Sequence, residues 1–183
     1  MSYSLTIPSL ETERLILRAP GPQDFAPFAA FYASPRADFV GGPLTAEGAW
    51  RMLAMEIGHW TLKGFGRWTV TVKGSDEAVG MIGLFDPEGW PETEIGWDLF
   101  GSHEGKGYAT EAGAAARNYA YTVLGLSTVI SLVKPANTAS ARVAQRLGAK
   151  HDGDFIHERH GQMQIWRHPG PDDLTDGGME AYA

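Results

Sequence analysis

Residues 94–110 read EIGWDLFGSHEGKGYAT, and this stretch decides the fold. Residues 94–100 alternate polar or small residues with large apolar ones, which is typical of a β-strand. A glycine-rich segment, residues 104–110, follows and opens a predicted helix over residues 110–124. This junction presents unpaired backbone N–H groups and the positive end of a helix dipole to an anion. The stretch therefore predicts an anion site at residues 104–110.

Two common phosphate-binding patterns do not fit this loop. A Walker A loop needs Ser or Thr after its lysine, whereas Gly107 follows Lys106 here. A dinucleotide-binding fingerprint needs a third glycine where this chain has Thr110. Neither fingerprint is therefore predicted.

The rest of the chain predicts one α+β domain with a mixed, mostly antiparallel sheet flanked by helices. Apolar periodicity and turn residues predict the following strands and helices. The strands are 14–20, 67–73, 78–85, 93–100, 128–133 and a final hairpin ending near Arg167, and the helices are 24–34, 45–62, 110–124 and 137–147. The tail, 168–183, is rich in Pro, Gly and Asp, so we expect it to be mobile.

Composition excludes several classes of protein. The 183 residues contain no cysteine, which excludes disulfides, a thiol nucleophile and thiolate metal sites and fits a cytoplasmic location. A net charge of −7 argues against a nucleic-acid-binding face and weakly favours a cationic substrate. No secretory signal or membrane span is expected from the sequence.

Four ordered segments resemble the GNAT superfamily of acyl-CoA-dependent N-acyltransferases, in particular its ribosomal-protein alanine acetyltransferase (RimJ/RimL-like) branch. The resemblance covers about residues 9–167, which we take as the N-acetyltransferase domain. It rests on the opening strand LETERLILR, the strand EIGW, the loop GKGYATEA, and the pair NTAS and LGA in the late helix, which begin at residues 10, 94, 105, 137 and 147.

The resemblance implies that acetyl-CoA is the cosubstrate and that an amine is its acceptor. Charge, the length of the uncharged runs and the lack of further ligand residues argue against nucleic-acid, membrane and metal partners. The oligomeric state stays open, a homodimer included. The implied cofactor-binding residues are Leu99, Phe100, Glu104, Gly105, Lys106, Gly107, Tyr108, Ala109, Thr110 and Asn137. One position departs from the superfamily pattern, because Glu104 stands where Gln or Arg usually opens the loop. A carboxylate there disfavours a pyrophosphate unless it points away.

The reaction of the family needs a base, because an alkylamine is mostly protonated at neutral pH. Glu94 is the candidate for the base, either directly or through a water molecule. Strand alternation puts Glu94, Gly96 and Asp98 on one face, so Asp98 is a weaker alternative and a solvent-facing Glu94 remains an open interpretation.

The leaving thiolate needs an acid. Many relatives place a tyrosine in the late helix, but this chain has Ala144 at that position, which leaves Ser140 as the candidate. Asn137 and Ser140 share a helix face, where Asn137 would contact the pantetheine. A simple helix cap is the alternative interpretation of both residues.

Two other function classes remain open: a non-catalytic acyl-CoA-binding or sensing domain, and a nucleotide-binding module. The second is weaker because both phosphate fingerprints fail. The segment HERH, residues 157–160, resembles a metal site, but in a strand its two histidines would point to opposite faces. We therefore expect surface histidines there.

Overall fold

Residues 6–175 are described by the computed structural model, and within them eight strands form one mixed sheet. The strand order is β1-β2-β3-β4-β5-β6-β8-β7. All neighbouring strands are antiparallel except β5 and β6, which are parallel. The strands are β1 Leu10–Glu11, β2 Leu15–Arg18, β3 Arg67–Val72, β4 Ala78–Phe85, β5 Glu94–Leu99, β6 Ile130–Val133, β7 Lys150–His157 and β8 Gly161–Arg167.

The first four α-helices begin and end close to the predicted positions, whereas the short fifth helix, in the segment expected to be a mobile tail, was not predicted. The helices are α1 Phe25–Tyr32, α2 Ala46–Lys63, α3 Tyr108–Thr122, α4 Thr138–Arg146 and a short α5, Pro171–Thr175. Thr45 caps α2 by accepting a hydrogen bond from the Gly48 amide at 3.1 Å, and Gly64 ends it in a left-handed conformation. The α+β class with a mixed, mostly antiparallel sheet is confirmed.

Helices pack on both faces of the sheet. Side chains of α1 and α2 form a cluster with Met81 and Phe100, whereas α3 packs small residues, such as Ala112 and Ala116, against the face that carries Ile82. Val123 follows the last residue of α3, Thr122, and its side chain is 62% exposed. Small residues suit this face because they let the helix backbone approach the strands.

Strands β5 and β6 separate soon after they meet. Among the described residues their ladder contains one Cα pair, Glu94 and Ile130, although β5 continues to Leu99. Ser131 Oγ then donates to the Ile95 carbonyl at 2.7 Å, so a side chain replaces the next backbone bond. The separation opens the middle of the sheet, where the polar face of β5 is accessible.

The folded chain continues past Arg167. His168 is 2% exposed and its Nε2 lies 2.9 Å from Ser131 Oγ, while Tyr121 donates to the Pro169 carbonyl. The remaining part of the predicted mobile tail, 176–183, lies outside the described residues. No helix within residues 6–175 is long and apolar enough to cross a membrane.

Candidate active site

A cavity of about 340 Å³ occupies the gap between β5 and β6. Its floor is formed by Gly96, Trp97 and Asp98 of β5 and by Ser131, Leu132 and Val133 of β6. The predicted residues Glu94, Asn137 and Ser140 border the same cavity. The fold therefore brings together the candidate base and the candidate acid, which are 46 positions apart in sequence (140 minus 94).

Glu94 is held by two hydrogen bonds at the point where the strands separate. Its Oε2 accepts from the Trp90 indole nitrogen at 2.6 Å and its Oε1 accepts from the Leu132 amide at 3.2 Å. Burial raises the pKa of the Glu94 carboxyl to about 7, against the opposing effect of these two donors. A carboxyl with this pKa can take up or release a proton near neutral pH, as a general base must.

Asp98 belongs to a buried charge network instead. Its Oδ2 accepts from Tyr32 Oη at 3.0 Å and from Arg67 Nη1 at 2.8 Å, and Arg67 also forms a two-pronged pair with Glu56. Burial raises the pKa of Asp98, while Arg67 opposes the shift. The side chain is 3% exposed and tightly partnered, which makes Asp98 a poorer candidate for the base than Glu94.

Asn137 and Ser140 form the start of α4. The Ser140 amide donates to Asn137 Oδ1 at 3.2 Å, so Asn137 is a helix cap, as the simpler interpretation held. The cap does not occupy the Ser140 side chain, whose Oγ accepts from the Trp97 indole nitrogen at 3.3 Å. Because the indole can only donate, the serine hydroxyl keeps its own hydrogen for another acceptor in the cavity.

The loop 104–110 turns the chain into α3 through two glycines in the left-handed conformation. Gly105 and Gly107 adopt positive φ values of 74° and 83°, and Gly107 is the N-cap of α3. Helix α3 starts at Tyr108, two residues earlier than we expected, because the left-handed glycine turns the chain directly into the helix. Its first N–H groups face outward from the helix start without an intrahelical acceptor.

The carboxylate of Glu104 is paired with Arg36. Arg36 Nη2 donates to Glu104 Oε1 at 2.5 Å and to the Leu99 carbonyl at 2.8 Å, and Nη1 donates to the Gly101 carbonyl at 2.7 Å. The Arg36 guanidinium thus offsets the negative charge of Glu104, the residue that departs from the superfamily pattern. Sequence reasoning missed Arg36, which lies 68 positions before Glu104.

Arg14 is a second cation at this loop that sequence reasoning missed. Its Nη1 donates to the Lys106 carbonyl at 3.0 Å, and its guanidinium lies 5.1 Å from the centre of the Tyr108 ring. It also forms an ion pair of 2.6 Å with Glu111 in the first turn of α3. The opening strand is therefore tied to the start of α3 by a side chain that is 45% exposed.

The other two predicted cofactor contacts differ in what they can offer. Phe100 is 2% exposed and both of its backbone groups are engaged, with the Val79 carbonyl and the His103 amide. Leu99 offers its carbonyl to Arg36. Their cofactor contacts stay predictions, and so do the contacts of Lys106, Tyr108, Ala109 and Thr110.

The expectation that His157 and His160 point to opposite faces is wrong. They flank the tight turn between β7 and β8, where the His157 Nδ1 accepts from the His160 amide at 3.2 Å and their rings lie 4.7 Å apart. Trp90 contacts both rings, at 5.0 and 5.7 Å between centroids. The described residues contain no group of three or more metal-ligating side chains. His157 and His160 both line the cavity.

Comparison with known proteins identifies the family. Residues 14–150 match the acetyltransferase (GNAT) domain family, and the chain belongs to it. The chain is 31% identical over 150 residues to the uncharacterized N-acetyltransferase p20 of Bacillus licheniformis, covering 79% of this chain and 84% of that protein. These relatives place the chain among the N-acetyltransferases.

Solved structures agree with the family. An acetyltransferase from Agrobacterium tumefaciens str. C58 superposes with a TM-score of 0.82 and 36% identity, over 92% of this chain and 98% of that one. The ribosomal-protein-S5-alanine acetyltransferase of Vibrio fischeri shares the fold, with a TM-score of 0.69 and 18% identity over 91% of this chain and 99% of its own. The GNAT prediction is confirmed, and the RimJ/RimL-like branch stays a prediction.

Proposed function

We propose that this chain transfers the acetyl group of acetyl-CoA to a primary amine by direct attack of the amine on the thioester. The observation that carries the proposal is Glu94, a carboxyl with a pKa of about 7 that borders a cavity between two separating parallel strands. A base of this strength suits an amine that arrives protonated. A cytoplasmic location stays a prediction from the sequence.

The cofactor would extend from the loop 104–110 to the cavity. The pyrophosphate would accept hydrogen bonds from the first amides of α3, with Gly107 allowing close approach. The pantetheine arm would then lie against the edge of β5 where β6 has separated, as an added strand does. Asn137 borders this path and would contact an amide of the arm.

The chemistry requires two positioned groups. Glu94 would accept the proton of the ammonium, after which the nitrogen forms a bond to the acetyl carbon and the carbon–sulfur bond breaks. Ser140 would donate its hydroxyl hydrogen to the departing thiolate, and its oxygen would regain a proton, directly or through water, from the nitrogen, which must lose a second proton to become the amide. The Trp97 indole donates to Oγ and so leaves this hydroxyl hydrogen free for the sulfur. The products are the N-acetylated amine and CoA.

Thermal denaturation with and without acetyl-CoA tests the cofactor site. Acetyl-CoA should raise the Tm of the wild-type protein, and Gly107→Val should abolish this shift. A Cβ on Gly107 would lie 3.2 Å from Arg14 Nη2, at a φ of 83° that side chains rarely adopt. Gly125→Val is the matched control, since Gly125 has a φ of 69° and open space around it.

Gly125→Val should lose about as much stability as Gly107→Val but should keep the rise in Tm that acetyl-CoA causes. A normal acetyl-CoA shift in folded Gly107→Val would show that the loop assignment is wrong. A broad amine panel, monitored by release of the CoA thiol, tests the transfer itself. Absence of acetyl-CoA-dependent turnover with every amine would overturn the enzymatic proposal.

A further inference from the structure

We infer that the acceptor is a small primary monoamine with an apolar, aromatic-sized body, rather than a polyamine or the N-terminus of a protein. The inference rests on the proposed function and narrows it to one class of amine. Three observations carry it: the small volume of the cavity, the chemistry of its walls, and the distribution of charge between its floor and its rim.

The cavity is narrowed by segments that approach each other around it. A Cβ placed on Gly41 would lie 3.8 Å from Met52 Cε and 3.9 Å from His160 Cε1, so the segment after α1 lies close to both α2 and the β7–β8 turn. Lys134 donates to the Asp38 carbonyl at 3.3 Å and joins the same segment to the end of β6. These approaches narrow the space around the cavity, which favours a small acceptor over one attached to a folded domain.

A second approach narrows the cavity further. A Cβ on Gly89 would lie 3.7 Å from His157 Nε2, which brings the β4–β5 connection against the β7–β8 turn. The volume of about 340 Å³ is at the small end of ligand pockets and must also hold the acetyl group. Both facts favour an acceptor of few heavy atoms.

The walls above Glu94 are mainly apolar and aromatic. The apolar lining residues include Phe39, Met52, Met55, Phe85 and Trp90. Phe85 and Trp90 meet edge to face with their centroids 5.4 Å apart, which is a favourable arrangement for enclosing a third ring. Such walls stabilise the apolar body of an acceptor by removing it from water. They would also remove a second ammonium group from water, which costs free energy because no partner replaces the lost hydration.

Charge in the cavity fits a single ammonium at the floor. The floor carries Glu94 and a network in which Glu56 and Asp98 share the one cation, Arg67. The rim carries Lys134 and Arg159, with Glu88 as the opposing carboxylate. A polyamine would place its second charge against the apolar walls or near two cations, whereas a monoamine places its only charge beside the carboxylates.

Competing acceptors test the inference directly. We would measure kcat/KM for 2-phenylethylamine, for cadaverine, and for a hexapeptide with a free N-terminal alanine, by release of the CoA thiol. We expect 2-phenylethylamine to exceed both others by at least about tenfold, the scale of a few buried methylenes. A preference for the peptide or the diamine would overturn the inference and leave the proposed function standing.

A matched pair of α2 variants tests the wall. Met52→Ala should lower kcat/KM for 2-phenylethylamine by about tenfold and change the value for cadaverine by less than about twofold. Leu62→Ala, on the same helix but 85% exposed, should change neither. Equal loss with both amines would show that Met52 does not contact the acceptor body and would overturn this wall assignment. If no amine in the broad panel is acetylated, the inference fails together with the proposed function.

Discussion

The indole nitrogen of Trp90 donates to Oε2 of Glu94 over 2.6 Å, and the two residues are four positions apart in the chain. Burial raises the pKa of this carboxyl, whereas the indole and the Leu132 amide lower it by stabilising the ionised form. The value of about 7 is the balance of these effects. In the proposed reaction Trp90 would act through Glu94 as a positioning residue, in addition to lining the cavity.

Trp90→Phe should move the pH dependence of the reaction upward. Phenylalanine keeps a ring beside His157 but removes the hydrogen-bond donor that stabilises the ionised carboxylate. The neutral form of Glu94 is then favoured, and the pKa of Glu94 rises above about 7. The rising limb of kcat/KM against pH should shift to higher pH, with activity at the plateau partly retained. Trp50→Phe, at a site 61% exposed, is the control and should leave the profile unchanged. An unshifted limb in Trp90→Phe would show that Glu94 is not the titrating base.

Glu94→Gln should lower kcat by about 10²–10⁴-fold at neutral pH and leave acetyl-CoA affinity nearly unchanged. In the wild-type enzyme activity should rise with pH through about 7, because the ionised carboxylate is the active form. That limb should vanish in the variant, and activity should recover toward the pKa of the amine, near 10.4, where the base is no longer needed.

Glu88→Gln is the matched control for this variant. Its carboxylate borders the same cavity but is exposed at the rim, so kcat should stay within about threefold of wild type. Unchanged kcat in Glu94→Gln would transfer the base role to solvent or to Asp98.

Ser140→Ala should lower kcat without recovery at high pH. The expected loss is again about 10²–10⁴-fold, because the departing thiolate loses its donor and added hydroxide does not replace it. The Ser140 amide still donates to Asn137, so the start of α4 should remain intact and Tm should change little. Thr138→Ala, an exposed neighbour in the same turn, serves as the control. Full recovery of Ser140→Ala at high pH would contradict the acid role.

The elements that sequence reasoning predicted well are those fixed by local patterns. Alternation in residues 94–100 gave the β5 strand, and glycine spacing gave the turn into α3 within two residues. The placement of Glu94 on the polar face of β5 followed from the same two-residue period.

The remaining features depend on contacts between distant segments. Arg36 pairs with Glu104 across 68 positions, and Arg67 pairs with Asp98 across 31 positions. No local sequence pattern indicates either pair. The raised pKa of Glu94 depends on burial, which the sequence does not specify. The two histidines were misplaced because a turn, and not a strand, carries residues 158–160.

Arg67→Met should destabilise the fold strongly. The substitution leaves two carboxylates, Glu56 and Asp98, buried without their cation, which costs about 3–5 kcal/mol of unfolding free energy. Urea denaturation followed by circular dichroism measures the loss. The control is Arg51→Met, whose pair with Glu47 is exposed on α2 and should cost at most about 1 kcal/mol. Similar losses in both variants would show that the buried network contributes no more than a surface pair.

Arg36→Ala should weaken acetyl-CoA binding only while Glu104 is present. Removing the guanidinium leaves the Glu104 carboxylate unpaired beside the loop that would hold the pyrophosphate, and the repulsion should raise Kd by about 5–20-fold, or about 1–2 kcal/mol.

Glu104→Gln alone should bind acetyl-CoA at least as tightly as wild type, since the charge near the loop becomes less negative. The double variant Arg36→Ala/Glu104→Gln should recover most of the affinity lost in Arg36→Ala, and the non-additivity measures the coupling between the two side chains. Calorimetric titration at low and high salt gives the four Kd values, and the effect should shrink as salt screens the carboxylate, which is 69% exposed. If the double variant binds as weakly as Arg36→Ala, then Arg36 acts by holding the Leu99 and Gly101 carbonyls in place, and not by neutralising Glu104.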